Sequence, residues 1–368
     1  MPSLSPRPLP APPPASLVRM VLRLHGWLQG LTRRLLPPDV QIAELATGLA
    51  WSHALAAIVR AGVPDALNDV PSTAETLAAR VHLDADMLHR TLRAMATRGI
   101  FEMDRDGRFA HTPASRALRK DHPSAVAAFS EYFASPSNAA SWAAFDRTLQ
   151  TGASAFESVH GMSVWAWFDR HADERETFAH AMAGMTRADA PWVASLYPFG
   201  EIDELCDVGG GRGILLSELL VRFPRLRGLL CDAAGVLDAA RVTFEARGVA
   251  HRVELRPGSF FEGVPSGVDA YLLKNILHDW DDERARRILS VVRDAASPGA
   301  RVLVVESLVG RLSRDPMGCG ADLQMAVACS RGRERDVEEF QTLLNASGFA
   351  PGRVFRSPVI AVIEATAV

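Results

Sequence analysis

A chain of 368 residues exceeds the usual size of one domain, so two are expected, and its 48% hydrophobic and 23% charged residues argue against a disordered or fibrous protein. A formal net charge of −3 supplies no general drive toward nucleic acid or anionic lipid. Four widely spaced cysteines, with no Cys-x-x-Cys pair, leave no zinc ribbon or disulfide framework, and a reducing, cytoplasmic setting is expected.

Prolines at 2, 6, 8, 10, 12, 13 and 14 predict a disordered tail over 1–16. Leu17 to Leu36 reads as an amphipathic helix, because Arg19, Arg23, Arg33 and Arg34 interrupt its apolar run, and no membrane segment is predicted. From Gln41 to about Arg119 the periodicity is helical, with breaks at Gly62-Val63-Pro64 and Pro71-Ser72, and Ser72 and Glu75 stand at capping-box spacing. A helix over Asp84 to Thr97 is followed by two short apolar runs flanking Asp104-Arg105-Asp106-Gly107, a hairpin signal. The outline over 17–120 is a winged helix. Such modules often bind DNA, but ten basic and nine acidic residues lie between 41 and 120, and Asp84 and Asp86 open the would-be recognition helix. Nucleic acid is therefore not expected as a partner.

Residues 121–200 read as a helical linker and substrate-pocket region: thirteen of the 26 aromatic residues lie between Phe129 and Phe199, enough to build core and also wall a pocket for a flat ligand. From 201 to 368 short apolar runs alternate with helices. Strands are predicted at 205–208, 228–231, 253–256, 270–274 and 302–306, helices near 214–222, 235–247, 282–296 and 336–347, and a closing hairpin at 353–355 and 359–363. The fold class is α/β, a Rossmann-like doubly wound sheet with an antiparallel closing hairpin, preceded by a mostly helical winged-helix module.

A strand ending in Asp207, then Gly209-Gly210-Gly211-Arg212-Gly213, then a helix, is a nucleotide-cradling turn at the carboxyl edge of a parallel sheet. It fails the dinucleotide spacing, since Ile214 stands where the third glycine belongs, so an adenosine with a short charged tail suits it better than a pyrophosphate. Asp232 closes the second strand, where a carboxylate can accept both hydroxyls of a ribose. Gly258-Ser259-Phe260-Phe261-Glu262 follows the third strand and offers an aromatic face to an adenine. The fourth strand runs out through Lys274, one of only two lysines among 40 basic residues, to His278. Glu306 ends the fifth strand and Glu334 lies in a turn; as partners of His278 they would fix its tautomer and raise its basicity. One histidine with scattered carboxylates makes a poor transition-metal site, and no metal is expected.

Together Asp207 to Gly213, Asp232, Gly258 to Glu262, Lys274 to Trp280, Glu306 and Gly332 to Arg335 resemble the motifs of the plant-type, or family 2, class I O-methyltransferases and their bacterial relatives in aromatic natural-product pathways. The resemblance covers nearly everything after residue 40. It implies S-adenosylmethionine as methyl donor, S-adenosylhomocysteine as product, and a homodimer interlocked through the N-terminal helices. It also implies that Gly209 and Gly211 approach the cofactor tail, Asp232 binds ribose, Ser259 and Phe260 flank adenine and Lys274 contacts the cofactor backbone. By the same resemblance His278 is the general base oriented by Glu306 and Glu334, and His160, Met162, Trp165, Asp322 and Met325 wall the pocket of a small aromatic acceptor. Two departures stand out: Ser259 replaces the family's usual aspartate, and Ala233-Ala234-Gly235-Val236 lacks the proline common in plant members. The alternatives are a relative that alkylates nitrogen or carbon or has turned to decarboxylation or hydroxylation, and a winged-helix regulator.

Overall fold

Two strands, β1 (Phe101–Met103) and β2 (Phe109–His111), pair antiparallel in the computed structural model, which describes residues 7–368. The turn between them is held by Asp104, whose Oδ1 accepts the amides of Asp106 at 2.9 Å and Arg108 at 2.8 Å. Helices Ala74–Val81 and Ala85–Thr97 close Leu77, Leu88, Leu92 and Met95 over Phe101 and Phe109, the core of the winged-helix outline. Asp84 caps the second helix by accepting the Met87 amide at 2.8 Å. The first helix corrects the expected capping box: Thr73, not Ser72, is the cap and accepts the Thr76 amide at 3.3 Å. Ser72 is unavailable because its backbone exchanges two hydrogen bonds with Phe109, at 3.0 and 2.8 Å, which extends the wing by one bridge.

The amphipathic segment forms a helix over Ala15–Leu35, and none of its described residues is buried; Met20 is 59% and Trp27 63% exposed. Ahead of it, part of the stretch expected to be a loose tail is anchored. The Leu9 amide donates to both oxygens of Glu218 at 3.0 Å, and Arg222 donates to the Leu9 carbonyl at 2.7 Å. Residues 1–6 of that predicted tail lie outside the described residues. The stretch Pro38–Arg60 is long and apolar enough to cross a membrane by length and composition alone. It is two helices, Pro38–Ala46 and Gly48–Arg60, separated at Thr47, whose hydroxyl bonds back to the carbonyls of Ala43 and Glu44.

The remaining strands are β3 (Glu204–Val208), β4 (Arg227–Asp232), β5 (Val253–Pro257), β6 (Ala270–Lys274), β7 (Arg301–Glu306), β8 (Phe349–Arg356) and β9 (Ala361–Ala367). Their order is β5-β4-β3-β6-β7-β9-β8, parallel from β5 to β7 and antiparallel at β9 and β8. This is the expected Rossmann-like sheet with its closing hairpin. Buried side chains pack on both of its faces, which is why β6 and β7 read as unbroken apolar runs. The order reverses direction between β3 and β6, and a ligand crevice opens at such a switch point beyond the strands' carboxyl ends. The hairpin is longer than predicted because Pro351-Gly352, a turn signal in the sequence, is absorbed as an irregularity between Pro351 and Val354. A helix over Pro316–Ala328 was not predicted; Gly318 and Gly320 depress its propensity, and Asp315 starts it by accepting the amides of Met317 and Gly318.

The described residues divide into two compact units. One holds Ala140–Arg170 and Thr186–Val368 with the N-terminal stretch up to Arg19; the other holds Met20–Ala139 and His171–Met185. The region 121–200, predicted as one piece, is thus split, because the 25-residue helix Ala172–Leu196 gives its first part to one unit and its last part to the other.

Candidate active site

The turn after β3 is shaped by close approach. Gly209 has φ +71°, and a Cβ there would lie 2.5 Å from Ile276 Cδ1 and 3.5 Å from the Phe260 ring, so a side chain would push away the groups that line the loop. Gly211 has φ +57° with nothing within 4 Å of such a Cβ, so its outer side is open to a ligand. Asp207 turns inward: it is 2% exposed, and a Cβ on Gly210 would fall 2.5 Å from its Oδ2. Burial, reinforced by the Asp232 charge, pushes its carboxyl up to about 7.

Asp232, at the end of β4, accepts the Gly211 amide at 2.8 Å and the Ala233 amide at 2.7 Å. Burial raises its pKa, and the two amides work against that rise. Each oxygen accepts one amide and keeps further acceptor capacity, as a ribose diol requires. The donor set therefore fits an adenosine: a glycine with an open face, a fixed carboxylate one strand away, and the Phe260 ring beside Gly209. Phe260 packs against Phe261 at 5.1 Å and Trp280 at 6.3 Å between ring centres. Ser259 is turned onto its own loop, its Oγ accepting the Phe261 amide at 3.3 Å.

β6 ends at Lys274, whose Nζ lies 3.1 Å from Asp189 Oδ2, with that side chain only 6% exposed. The next residue, Asn275, adopts φ +54°, and the bend turns the amides of Ile276 and Leu277 toward β7. Glu306 Oε1 accepts both, at 3.1 and 3.0 Å. His278 follows in the short 3-10 turn Leu277–Asp279. Its Nδ1 is 3.0 Å from Glu334 Oε1 and 3.4 Å from Glu306 Oε2, and its Nε2 is 3.6 Å from Asp279 Oδ1. The sequence reading thus selected three groups that the fold brings together, but missed Asp279, which lies inside a quoted motif.

Burial alone would depress the imidazole, but Glu306, Asp279 and Glu334 outweigh it and hold the pKa up at about 10. Burial lifts Glu306 to about 7 and Asp279 to about 6, against the pull of His278 in both cases. With one ring nitrogen committed to carboxylates, Nε2 is the atom left to exchange a proton.

A second segment clamps this turn. The Arg333 amide donates to the His278 carbonyl at 2.8 Å, and a Cβ on Gly332 would stand 3.0 Å from that same oxygen. Arg335, fully buried, donates to the carbonyls of Leu277 at 2.8 Å and Trp280 at 2.7 Å and pairs with Asp282. Arg335 lies inside the quoted Gly332 to Arg335 motif but was given no role, because in a chain that writes nearly all its positive charge as arginine one more carries no signal of its own.

The expected pocket-wall residues are less united. Trp165 stacks near Trp280, 6.2 Å between ring centres, and with Phe261, Arg284, Arg287 and Cys329 lines a cavity of about 320 Å³. His160 packs between Phe156 at 4.4 Å and Trp167 at 4.5 Å. Asp322 is engaged in architecture: its Oδ1 accepts the Glu334 amide at 2.8 Å and so fixes the acid beside His278. Met162 and Met325 are half-buried.

Fold and crevice define a class I methyltransferase. Residues 142–350 match the O-methyltransferase domain and residues 43–121 the O-methyltransferase dimerisation domain. The chain is 36% identical over 310 residues to the mitomycin biosynthesis 6-O-methyltransferase of Streptomyces lavendulae, covering 84% of this chain and 87% of that protein. It is 32% identical over 330 residues to the phenazine-1-carboxylate N-methyltransferase of Pseudomonas aeruginosa, covering 86% and 94%. Among solved structures it is similar to an O-methyltransferase from neocarzinostatin biosynthesis in complex with S-adenosylmethionine and 2-hydroxy-5-methyl naphthoic acid: TM-score 0.74, 29% identity, 86% of this chain and 96% of that one. The chain belongs to the O-methyltransferase family, whose members draw their methyl group from S-adenosylmethionine.

Proposed function

We propose that this enzyme methylates a hydroxyl group of a small aromatic natural product, with His278 as general base. The observation that carries the reading is the pairing of His278 Nδ1 with Glu334 and Glu306 just beyond the carboxyl end of β6, on the same sheet edge as the glycine loop. Bound there, S-adenosylmethionine supplies an electrophilic methyl on a positively charged sulfur. Gly209 and Gly211 admit it by their backbone, Asp232 holds the ribose, and Phe260 with Trp280 offers faces to the adenine. Asp207 supports the loop from beneath.

His278 Nε2 accepts the hydroxyl proton. A phenol with a pKa of about 10 and an unperturbed histidine near 6.5 would make full prior transfer cost roughly 5 kcal/mol. The raised imidazole of this site removes most of that gap, but it also leaves the ring protonated at neutral pH. A cation bound beside the ring favours its neutral form, so the base becomes competent in the loaded site. Base assistance is worth about 100-fold to 10,000-fold and alignment roughly 7 to 11 kcal/mol, so positioning of the acceptor dominates.

The aromatic wall of Trp165, Phe261 and Trp280 supports a flat acceptor. A second reading, methylation at nitrogen, is favoured by the relatives named for that chemistry. The bare apolar face of helix Ala15–Leu35 and the match to a dimerisation domain support a homodimer, and the same match favours a partner subunit over a membrane for Pro38–Arg60. Four free cysteines suit the cytoplasm. Incubating the protein with S-adenosylmethionine and paired phenol and aniline scaffolds, read by mass spectrometry, tests the reading. Methylation confined to anilines would overturn it in favour of nitrogen.

A further inference from the structure

Glu218 is 1% exposed and takes no part in the proposed reaction. It lies in helix Ile214–Arg222, among the leucines that pack this helix against the sheet. Its two oxygens tie three segments together. Oε1 accepts from Arg222 of the same helix and Oε2 from Arg247, each at 2.5 Å, and both accept the Leu9 amide at 3.0 Å. The same guanidiniums hold the carbonyls on either side, Arg222 donating to Leu9 at 2.7 Å and Arg247 to Arg7 at 3.0 Å. The N-terminal stretch is thus a strap laid over both arginines, with the Leu9 side chain packed on the core. Prolines at 8, 10, 12, 13 and 14 leave it little freedom to lose on docking. The strap precedes both family-matched ranges and is an addition to the shared domains.

The two helices joined at Glu218 begin at the two halves of the donor site. Gly213, which caps helix Ile214–Arg222, ends the glycine loop, and helix Ala234–Ala246, which Arg247 closes, starts two residues after Asp232. Beside the crevice the two meet where Asp232 accepts the Gly211 amide at 2.8 Å, and the Phe244 ring fills the space a Cβ on Gly213 would need. Glu218 stands five residues beyond Gly213, about 7.5 Å of helix, so a shift at the Glu218–Arg247 contact is carried through packed side chains to that amide. Without the strap two guanidiniums share one carboxylate, and their mutual repulsion works against the contact. We infer that Glu218 is a positioning residue for the methyl donor, and that the N-terminal strap, acting through it, sets donor affinity from outside the crevice. The inference rests on the reading of the glycine loop and Asp232 as the donor site.

Two full-length variants test it by calorimetric titration with S-adenosylhomocysteine. Glu218→Gln removes the charge between the arginines and keeps an oxygen for the strap. Leu9→Pro removes the amide that the strap donates and leaves Glu218 in place, so it carries the test if the first variant does not fold. In each the dissociation constant is expected to rise about 3-fold or more, within the range of couplings carried by packed elements, with the stoichiometry of the parent retained. Hydrogen exchange over 207–213 in the free protein is expected to quicken while that of β6 holds. Parent affinity in both variants, or exchange that quickens equally over β6, overturns the positioning role and leaves Glu218 a support of the fold. An unmodified protein that binds no S-adenosylhomocysteine overturns the donor-site reading itself, and this inference with it.

Discussion

Glu306 Oε1 accepts the Leu277 amide at 3.0 Å, while its other oxygen lies 3.4 Å from the Nδ1 of His278. One buried carboxylate thus holds the peptide before the base and sets the charge on the base. Glu306→Gln keeps an oxygen for the amides and removes the charge, so the imidazole pKa is expected to drop from about 10 and the acidic limb of kcat/KM, where the base becomes protonated, to move to lower pH. A pH–rate profile that does not move would separate Glu306 from the base. The linkage sign is also defined. Because the Glu306 carboxyl is raised to about 7 in the fold, ionisation favours the unfolded chain, and its contribution declines as pH rises from the ordinary glutamate range through 7.

Replacing the base itself removes proton acceptance but leaves alignment. His278→Ala is expected to lose about 100-fold to 10,000-fold in kcat with S-adenosylhomocysteine affinity retained. Steady-state rates together with calorimetry check both halves, and unchanged turnover would exclude the base role. The raised imidazole stabilises the fold fully below pH about 6.5, a contribution lost as pH climbs through 10. The melting difference between this variant and the parent should accordingly shrink toward pH 10.

His278, Glu306 and Glu334 present ligand atoms within 4.8 Å of one another, a spacing a divalent cation also accepts. The geometry at Nδ1 is that of a hydrogen bond, so activity is expected to survive overnight dialysis against a chelator unchanged. Loss on dialysis with recovery on adding zinc or magnesium would replace the proton-transfer reading.

Arg335 touches no atom of the proposed reaction, yet it ties the carbonyls of Leu277 and Trp280. Arg335→Leu strands both, at about 1–3 kcal/mol for each buried group left unsatisfied. A fall in melting temperature is expected together with a loss of kcat that exceeds any rise in KM for the methyl donor. A variant that is destabilised but normal in turnover would confine Arg335 to folding.

The bare face of helix Ala15–Leu35 leads to a hydrodynamic test. The parent protein is expected to show twice the chain mass in light scattering at micromolar concentration, and Trp27→Asp, placing a charge at a side chain 63% exposed in the single chain, to weaken that association. A monomeric parent would contradict the homodimer.

The sheet was readable because buried parallel strands leave unbroken apolar runs, and β6 falls on its predicted residues without adjustment. Helix Pro316–Ala328 was not, since its start depends on the Asp315 cap and not on periodicity. In the site, strand ends announced Asp232, Lys274, His278 and Glu306. Asp189 was silent, since it reaches Lys274 from a helix 85 residues earlier in the chain, and Arg335, though inside a quoted motif, gave no hint of its role because it acts on backbone carbonyls. The role given to Asp322 shifted for a similar reason, its carboxylate serving a backbone amide twelve residues ahead.

The Leu9 amide meets Glu218 across 209 residues of chain. During synthesis the first residues leave the ribosome long before the helix that carries their acceptor exists, and loop closure over such a span is among the slower contacts to form. The nascent protein must therefore make its winged-helix module and the first strand of its seven-stranded sheet with this stretch untethered. The strap closes late, onto a carboxylate that Arg222 and Arg247 also hold.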